Sequence, residues 1–268
     1  MDSGDRTRGP GDDGPSDDGP RGVEATQRSI RILRSLKEDG PATLTAIADR
    51  LGYSKSTVHR HLSTLSEAGY VAEGDDGYRV GLLFLDYGVH AQNEHRLYRI
   101  AKPKVDDLAD ELNEKVWIMA EENGYGIFLY HNAGKETVET YTRDGYRAHL
   151  HAFAAGKAVL AFMDDAAIER ILDRRGLPAE TPDTITDRDA LYEEIDAIRE
   201  RGVAFNRQES VRGVNAVAAP IMDPTGEPIG SLTVAGPANR LKGSYLEQEL
   251  PEMLLGVANE IEVNLTYD

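Results

Sequence analysis

The sequence of 268 residues contains no cysteine, one tryptophan and only five phenylalanines. Without cysteine, the chain can form neither a disulfide nor a thiolate metal site. It also lacks a run of about 18 apolar residues, the length that a membrane-spanning helix requires, and its first residues lack the apolar region of a secretion signal. We therefore expect a cytoplasmic protein without a membrane anchor.

Basic residues are scarce as well. The chain has 30 Lys and Arg against 47 Asp and Glu, a net charge of −17. Such an excess of acid is typical of proteins that stay hydrated in molar salt, so the composition favours a haloarchaeal cytoplasm. The charge is uneven: residues 23–85 hold eight acidic and eight basic residues, whereas residues 86–268 hold thirty-three and nineteen. One neutral segment therefore lies in an acidic chain.

The first 22 residues have the composition of a disordered acidic tail. They contain six Gly, three Pro and six Asp, with hardly an apolar residue that could join a core. The remaining length is sufficient for a module of about 60 residues and one larger domain.

Residues 43–65 carry a pattern typical of two short helices joined by a tight turn. Apolar residues at i, i+3, i+4 and i+7 predict a buried stripe on the first helix, namely Leu44, Ile47, Ala48 and Leu51. Gly52 ends this helix, and the Ser54 hydroxyl is suited to cap the next one. The buried seam of the second helix is then Val58, Leu62 and Leu65. This pair predicts a helix-turn-helix, which places its second helix in the major groove of DNA.

The polar side chains of the second helix face away from this seam. Their hydroxyl, imidazole and cationic groups can bind phosphates and base edges. We assign to the DNA interface Ser54, Lys55, Ser56, Thr57, His59, Arg60 and Thr64, together with Arg28, Thr43 and Arg79. The alternative is a helical hairpin in a globular core. A neutral module is less basic than an ordinary DNA-binding domain, so we expect binding that relies on base contacts and groove shape more than on charge.

Turn signals predict where the small module ends. Gly69 breaks the second helix, and residues 70–72 and 78–81 form the strands of a hairpin, so residues 23–81 are expected to be a winged helix-turn-helix. Residues 82–97 are expected to be a linker helix with an apolar stripe of Leu82, Leu85 and Val89. A second copy of the chain would cover this stripe, and the homodimer would present two helices to a palindromic operator in double-stranded DNA. Packing on its own domain explains the stripe equally well.

Residues 98–268 alternate helices and strands in an order typical of an α+β domain. Short turns join neighbouring strands, which predicts an antiparallel sheet with helices packed around it. The predicted helices cover residues 99–113, 150–163, 166–175, 188–201 and 245–264. The predicted strands cover residues 116–121, 125–131, 137–142, 203–206, 214–222 and 229–235.

A series of motifs resembles the IclR family of transcriptional regulators. In chain order they are Ala25-Thr26-Gln27-Arg28-Ser29, Ser54-Lys55-Ser56-Thr57-Val58-His59-Arg60, Gly69-Tyr70-Val71, Tyr78-Arg79-Val80-Gly81, Leu150-His151 with Ala155-Gly156-Lys157-Ala158, Arg201-Gly202-Val203-Ala204, and Gly213-Val214 with Ala218-Ala219-Pro220-Ile221. The resemblance covers residues 24–265. It implies a winged helix-turn-helix joined by a linker helix to a GAF-like α/β effector-binding domain, in dimers that often pair into tetramers. It also implies a transcriptional regulator whose affinity for its operator is controlled by a small organic effector.

The resemblance also implies a pocket for a carboxylate or aromatic acid on the sheet of the larger domain. The positions that line the family's pocket are occupied by Ala154, Ala155, Asn206, Ala216, Thr233 and Ala235, with Asn206 where an acid is frequent. The residues themselves favour such a site, because small residues around Gly156 leave helix N–H groups open to a carboxylate. Ser231 and Thr233 add hydroxyls on one strand face. The alternative is that these small residues only pack a helix on the sheet.

Other functions have less support in the sequence. His131, His149 and His151 could together hold a metal, but scattered histidines are ordinary packing residues in most proteins. No nucleophile, base and metal set supports catalysis, so we assign no catalytic residue, no metal and no cofactor. The rival hypotheses are a metabolic enzyme or a signalling module in which the helix-turn-helix serves as a tether.

Overall fold

The structure is a computed structural model of the chain and describes residues 22–134 and 142–267. Nearly all of the predicted acidic tail 1–22, and most of the predicted strand 137–142, therefore lie outside the described residues. The chain divides into two compact units at the bond between Gln92 and Asn93. Among the helices of the described ranges, none combines the length and the hydropathy needed to cross a bilayer.

The first unit is a three-helix module with a two-stranded wing. Its elements are α1 (Glu24–Asp39), α2 (Leu44–Leu51), α3 (Lys55–Glu67), β1 (Val71–Gly74) and β2 (Gly77–Val80). The predicted apolar stripes meet in its core, where Ile47, Val58 and Leu62 are almost fully buried. Gly52 ends α2 in the left-handed region at φ 67°. This is the winged helix-turn-helix expected from the sequence.

The wing is fixed to the start of α2 by its own turn residue. Gly77 has φ 103°, and a Cβ at this position would lie 2.5 Å from the Ala42 carbonyl oxygen. Only glycine permits this approach, which lets the Ala42 and Tyr78 backbones exchange hydrogen bonds of 3.0 and 2.9 Å. The hairpin strands are consequently held beside the helix pair.

Helix α4 (Leu83–Glu94) follows the wing and contains no buried residue. Phe84 and Tyr87 turn toward Tyr70, at ring-centroid distances of 5.3 and 5.8 Å. The predicted stripe faces elsewhere and is exposed in this chain: Leu82 is 78%, Leu85 66% and Val89 45% exposed.

The second unit is a six-stranded antiparallel sheet with helices on both faces. Its helices are α5 (Arg96–Leu112), α6 (Ala154–Leu160), α7 (Asp165–Arg175), α8 (Arg188–Arg201) and α9 (Leu250–Tyr267). Its strands are β3 (Lys115–Glu122), β4 (Tyr125–Ala133), β5 (Arg147–Ala148), β6 (Ala204–Arg207), β7 (Val214–Met222) and β8 (Pro228–Pro237). The strand order is β5-β4-β3-β8-β7-β6. This architecture confirms the predicted fold class.

Successive side chains of a strand point to opposite faces of the sheet and so contribute to two separate hydrophobic cores. On β3, Val116 and Ile118 join α5 and α9, whereas Trp117 and Met119 face α6, α7 and α8. On the second face, β7 presents Val214 at its start, followed by the small side chains of Ala216 and Ala218. These alanines leave room for α6 and for a cleft beside it.

The prediction of one helix over residues 150–163 is wrong. The structure has a 3₁₀ turn at Leu150–Ala152, then Phe153 in an extended conformation, then α6, which is only seven residues long. The close return of the chain explains the break, because a Cβ at Gly156 would lie 2.2 Å from the Leu150 carbonyl oxygen. Strand β5 and a π-helical turn before α9, at Tyr245–Glu249, were also not predicted.

Candidate functional site

The start of α3 is built by the predicted serine cap. The Ser54 hydroxyl accepts a hydrogen bond of 3.2 Å from the Thr57 backbone N–H and lies 2.8 Å from the Thr57 hydroxyl. A cap of this kind is worth about 1 kcal/mol. It fixes the first turn, so that the side chains of Lys55 and Ser56 leave the helix in defined directions.

Most of the residues assigned to DNA lie on the surface of the first unit. Exposed side chains are those of Thr43, Ser54, Lys55, Ser56, His59, Arg60, Thr64 and Arg79, whereas Thr57 and Arg28 are half-buried. Besides Ser54, two of them also stabilise the helices, since Thr43 caps α2 and the Thr64 hydroxyl donates to the Arg60 carbonyl. Arg28 pairs with Glu24, and its guanidinium lies 5.7 Å from the centre of the Tyr53 ring.

His61 lies on the inner side of α3, where its Nδ1 is 2.8 Å from the Ser29 hydroxyl. Burial lowers the pKa of His61, and the nearby charges of Arg28 and Arg60 lower it further. The contact with Ser29 joins α3 to α1, while the exposed His59 remains on the outer face.

In the second unit, a cleft of about 600 Å³, counting the space at its open mouth, lies between the sheet and α6. Its walls come from β3, β4, β6, β7, β8, α6 and the connection after β6. The lining residues are Lys115, Trp117, Phe128, Thr142, Phe153, Ala154, Ala155, Asn206, Ser210, Val211, Val214, Ala216, Thr233, Ala235 and Gly236.

Six of the eight residues assigned to the effector lie in this lining: Ala154, Ala155, Asn206, Ala216, Thr233 and Ala235. Gly156 and Ser231 do not. Gly156 packs against the backbone of Leu150, and Ser231 is fully buried, two residues before Thr233 in β8. The assignment of all eight to an effector remains a prediction.

The polar atoms of the lining differ in whether they already form hydrogen bonds within the protein. Both polar atoms of the Asn206 side chain already form hydrogen bonds within the protein. The Nδ2 donates to the Ala152 carbonyl at 2.7 Å, and the Oδ1 accepts from the Glu209 N–H at 3.1 Å. The Thr233 side chain is 4% exposed, and its Oγ1 is buried without a hydrogen-bond partner. An unpaired buried hydroxyl costs about 1–3 kcal/mol, which a polar atom of a ligand would recover.

Several lining residues were missed by sequence reasoning, foremost Lys115 and the aromatic side chains. Trp117 lies directly opposite Thr233 in the β3–β8 ladder, and Lys115 lies opposite Ala235. The Trp117 and Phe128 rings are 4.9 Å apart, and Phe153 is 5.6 Å from Phe128. Alternation on residues 115–119 could have placed Lys115 and Trp117 on one face, but only the strand order brings that face to Thr233.

A buried ion pair joins the two sides of the cleft. Lys157 of α6 is 1% exposed, and its Nζ lies 2.5 Å from Oε2 of Glu209 and 3.6 Å from Oε1 of Glu194. The Glu209 carbonyl accepts hydrogen bonds from the hydroxyls of Thr181 and Thr184, at 3.1 and 2.6 Å. These contacts hold the connection that carries Ser210 and Val211.

The three histidines considered for a metal do not form one cluster. His131 stacks on Trp117 at 4.1 Å and binds Asp144, whereas the His151 Nε2 donates to the Pro178 carbonyl at 3.0 Å. Over the described residues, no group of three or more His, Asp or Glu side chains has a metal-binding arrangement.

Two family models match the chain. Residues 25–75 match the IclR helix-turn-helix domain, and residues 89–263 match the C-terminal domain of the bacterial transcriptional regulator IclR. Among curated relatives, the probable HTH-type transcriptional regulator ArcR of Halobacterium salinarum is 31% identical over 91% of this chain and 95% of its own length. The HTH-type transcriptional regulator KdgR of Escherichia coli is 29% identical over 91% and 94%.

Solved structures match over the same range. The crystal structure of the Thermotoga maritima IclR has 26% identity and a TM-score of 0.73, covering 90% of this chain and 98% of that one. An IclR homologue from Microbacterium hydrocarbonoxydans, complexed with 4-hydroxybenzoate, has 24% identity and a TM-score of 0.77, covering 91% and 100%.

Proposed function

The chain belongs to the IclR family of transcriptional regulators, and on that premise we propose that α3 binds a DNA operator while a small organic acid in the cleft of the second unit controls this binding. The observation that carries the proposal is the pairing of two features in one chain. One is a capped helix with an exposed row of cationic and hydroxyl side chains. The other is a mainly apolar cleft with a few polar groups, which is the usual form of a small-molecule site.

The chemical class of the effector is proposed from the residues that line the cleft. Lys115 is the one formally charged residue among the described lining residues, and the remaining polar side-chain groups are three hydroxyls, the Asn206 amide and the Trp117 indole N–H. The complex of the Microbacterium homologue with 4-hydroxybenzoate supports an organic acid as ligand class. A ligand that binds better in one arrangement of the chain than in another shifts the population of the two, and operator affinity changes with it.

We also propose a homodimer. The exposed stripe Leu82, Leu85 and Val89 suits a second copy of the chain, and two-fold symmetry would offer two α3 helices to a palindromic site. We propose no catalytic role, because the described lining contains no histidine or carboxylate that could act as a base. The acidic composition and the relative from Halobacterium salinarum support a haloarchaeal cytoplasm as the setting.

The test measures operator and effector binding in the same protein. Replacing Lys55 and Arg60 with alanine should weaken operator binding by about 10-fold or more, since each contact to phosphate or base is worth about 1–3 kcal/mol. The matched control is Arg170→Ala with Lys242→Ala, which removes the same charge from exposed positions in the second unit. Equal affinities for the two double variants would contradict the role of α3.

Effector binding can be followed through Trp117, because the only tryptophan of the chain lies in the cleft. A panel of organic acids should change its fluorescence in a saturable manner, and the acids that do so should alter operator affinity. A panel that binds without any effect on the operator, or that does not bind at all, would contradict effector control.

A further inference from the structure

We infer that Tyr53, in the turn between α2 and α3, positions Arg28 and Arg31 of α1 so that the two arginines bind backbone phosphates beside the groove that α3 enters. We call these three residues the phosphate clamp. Tyr53 is its positioning residue, and Arg31 is a further contact to DNA. The inference rests on the proposed function, since it concerns how the same DNA-binding unit holds its operator.

The two arginines of the clamp meet at one aromatic ring. Arg28 and Arg31 are three residues apart in α1 and therefore lie on the same face of the helix. The Arg28 guanidinium carbon lies 5.7 Å from the centre of the Tyr53 ring, within the range of a cation–π contact. The Arg31 Nη1 donates a hydrogen bond of 3.2 Å to the Tyr53 hydroxyl. One phenol side chain thus orients both guanidinium groups.

The place of Tyr53 in the turn brings the clamp close to the expected path of the DNA backbone. Its ring packs against the core of the first unit, and its N–H donates a hydrogen bond of 3.0 Å to the Ala48 carbonyl. The next residue, Ser54, caps α3. A recognition helix enters the major groove with its N-terminal residues, so groups beside this cap face the phosphates that border the groove.

Arg28 is also close to α3 itself. The neighbouring Ser29 hydroxyl lies 2.8 Å from the Nδ1 of His61. Burial is the main cause that lowers the pKa of His61, and the charges of Arg28 and Arg60 lower it further. Arg28 of α1 and Arg60 of α3 are therefore both near one residue of the recognition helix, and the positive charge of the clamp adjoins that of α3.

The clamp retains donors for a phosphate. The contact with Tyr53 uses one of the five N–H donors of Arg31, whose side chain is exposed. Arg28 pairs with Glu24, which is 74% exposed, so a phosphate can replace this carboxylate. Because the DNA-binding unit has no net positive charge, its attraction to DNA depends on such local groups. Side chains that are already held in place lose less entropy on binding.

The probe for the test is the DNA duplex that the wild-type protein selects from a random-sequence library. Arg31→Ala should weaken its binding by about 5-fold and make the slope of log affinity against log salt less steep by about 1, since one phosphate contact is lost. Arg170→Ala is the control, because it removes an exposed arginine from the second unit, and it should change neither quantity.

Tyr53→Phe keeps the ring and removes the hydroxyl that holds Arg31. It should weaken binding by about 3-fold without a change of the salt slope, because the charges remain and only their orientation is lost. In the Arg31→Ala background the same substitution should have no further effect. An equal loss in both backgrounds would assign Tyr53 a merely structural role and overturn its positioning role. Thermal unfolding midpoints close to that of the wild type establish that the variants are folded.

Glu24→Gln tests the exchange at Arg28. It should tighten binding by about 2- to 5-fold, because a phosphate no longer has to displace a carboxylate from Arg28. Arg28→Ala should remove this gain. Binding of Glu24→Gln that equals or falls below that of the wild type would overturn the assignment of Arg28 to a phosphate.

The outcomes separate the clamp from the proposed function. If the double variant of Lys55 and Arg60 loses affinity while Arg28→Ala and Arg31→Ala bind like the wild type, the clamp is overturned and the role of α3 stands. If the wild type selects no duplex from the library, the proposed function itself fails.

Discussion

At the scale of single residues, the least expected feature is the lysine buried behind the cleft. Lys157 is among the largest fully buried side chains of the described chain, although lysine is rarely buried unless it is paired. The Glu209 carboxylate at 2.5 Å is its partner. The pair connects α6 to the segment that bears Ser210 and Val211, so its effect should extend to the ligand.

Lys157→Met should destabilise the protein by about 3–5 kcal/mol, because it leaves Glu209 as an uncompensated and largely buried charge. The double variant Lys157→Met with Glu209→Leu removes both charges and should recover a large part of this loss. Chemical denaturation of the three proteins measures the difference. Equal stability of the single and the double variant would contradict a stabilising ion pair.

The pH dependence of stability should reflect His151. Burial lowers its pKa to about 4, against the hydrogen bond to the Pro178 carbonyl, and His149 and Lys157 add to the lowering. The folded protein therefore holds His151 neutral, while the unfolded chain takes up a proton near pH 6.5. The unfolding free energy should fall by on the order of 3 kcal/mol as the pH drops from 6.5 to 4.

His151→Gln is the control for this prediction, since its amide can still donate to the carbonyl of Pro178. Its unfolding free energy should vary less with pH between 6.5 and 4 than that of the wild type. The same slope in both proteins would assign the pH dependence to other groups.

Residue identities predicted the cleft only in part. Small side chains, a strand face and a family resemblance led to Asn206 and Thr233, but nothing local pointed to Lys115 as their neighbour. Lys115 and Ala235 are brought together by the β3–β8 ladder, a pairing between distant segments that the sequence does not encode in any short pattern.

At the scale of elements, caps and periodicity were reliable guides. The Ser54 cap, the Gly52 stop and the bounds of α8 at Arg188–Arg201 all follow from local chemistry. The break at Phe153 could not be predicted this way, because residues 150–163 are apolar enough for a continuous helix. Its cause is the approach of Gly156 to Leu150, a contact within the folded chain.

Helix α4 offers a prediction at this scale. Leu85→Glu places a charge in the exposed stripe and should shift the protein from dimer to monomer in sedimentation experiments, since burial of an unpaired carboxylate is costly. Ala91→Glu adds the same charge to the opposite side of α4 and should leave the dimer intact. A monomeric wild type, or a dimeric Leu85→Glu, would contradict the proposed interface.

At the scale of the whole molecule, the distribution of charge is the dominant property. Residues 23–85 carry equal numbers of acidic and basic side chains, while residues 86–268 carry a large excess of acid. The uneven distribution of charge and the division into two units could both be predicted from the sequence. The strand order could not, because it depends on pairing between distant segments.

Operator binding should accordingly depend weakly on salt. A protein that neutralises six to ten phosphates shows a slope of about −5 to −9 in a plot of log affinity against log salt. For this chain we expect a slope no steeper than about −3, since the DNA-binding unit has no net positive charge. Titrations from low to molar salt measure this slope, and a value of −6 or steeper would indicate binding dominated by counterion release.

The strand order has a consequence for how the protein comes to be folded. The central neighbours β3 and β8 are joined through the register Lys115 to Ala235, so the middle of the sheet closes a loop of more than one hundred residues. Closing such a loop costs conformational entropy before the new contacts stabilise it. Folding is slower when contacts join residues that are far apart in the sequence. During synthesis, strand β3, which contains Trp117, cannot pair with β8 until Thr233 has emerged from the ribosome. We therefore expect that a nascent chain cannot bind the proposed effector in this cleft until nearly all of the chain has been made.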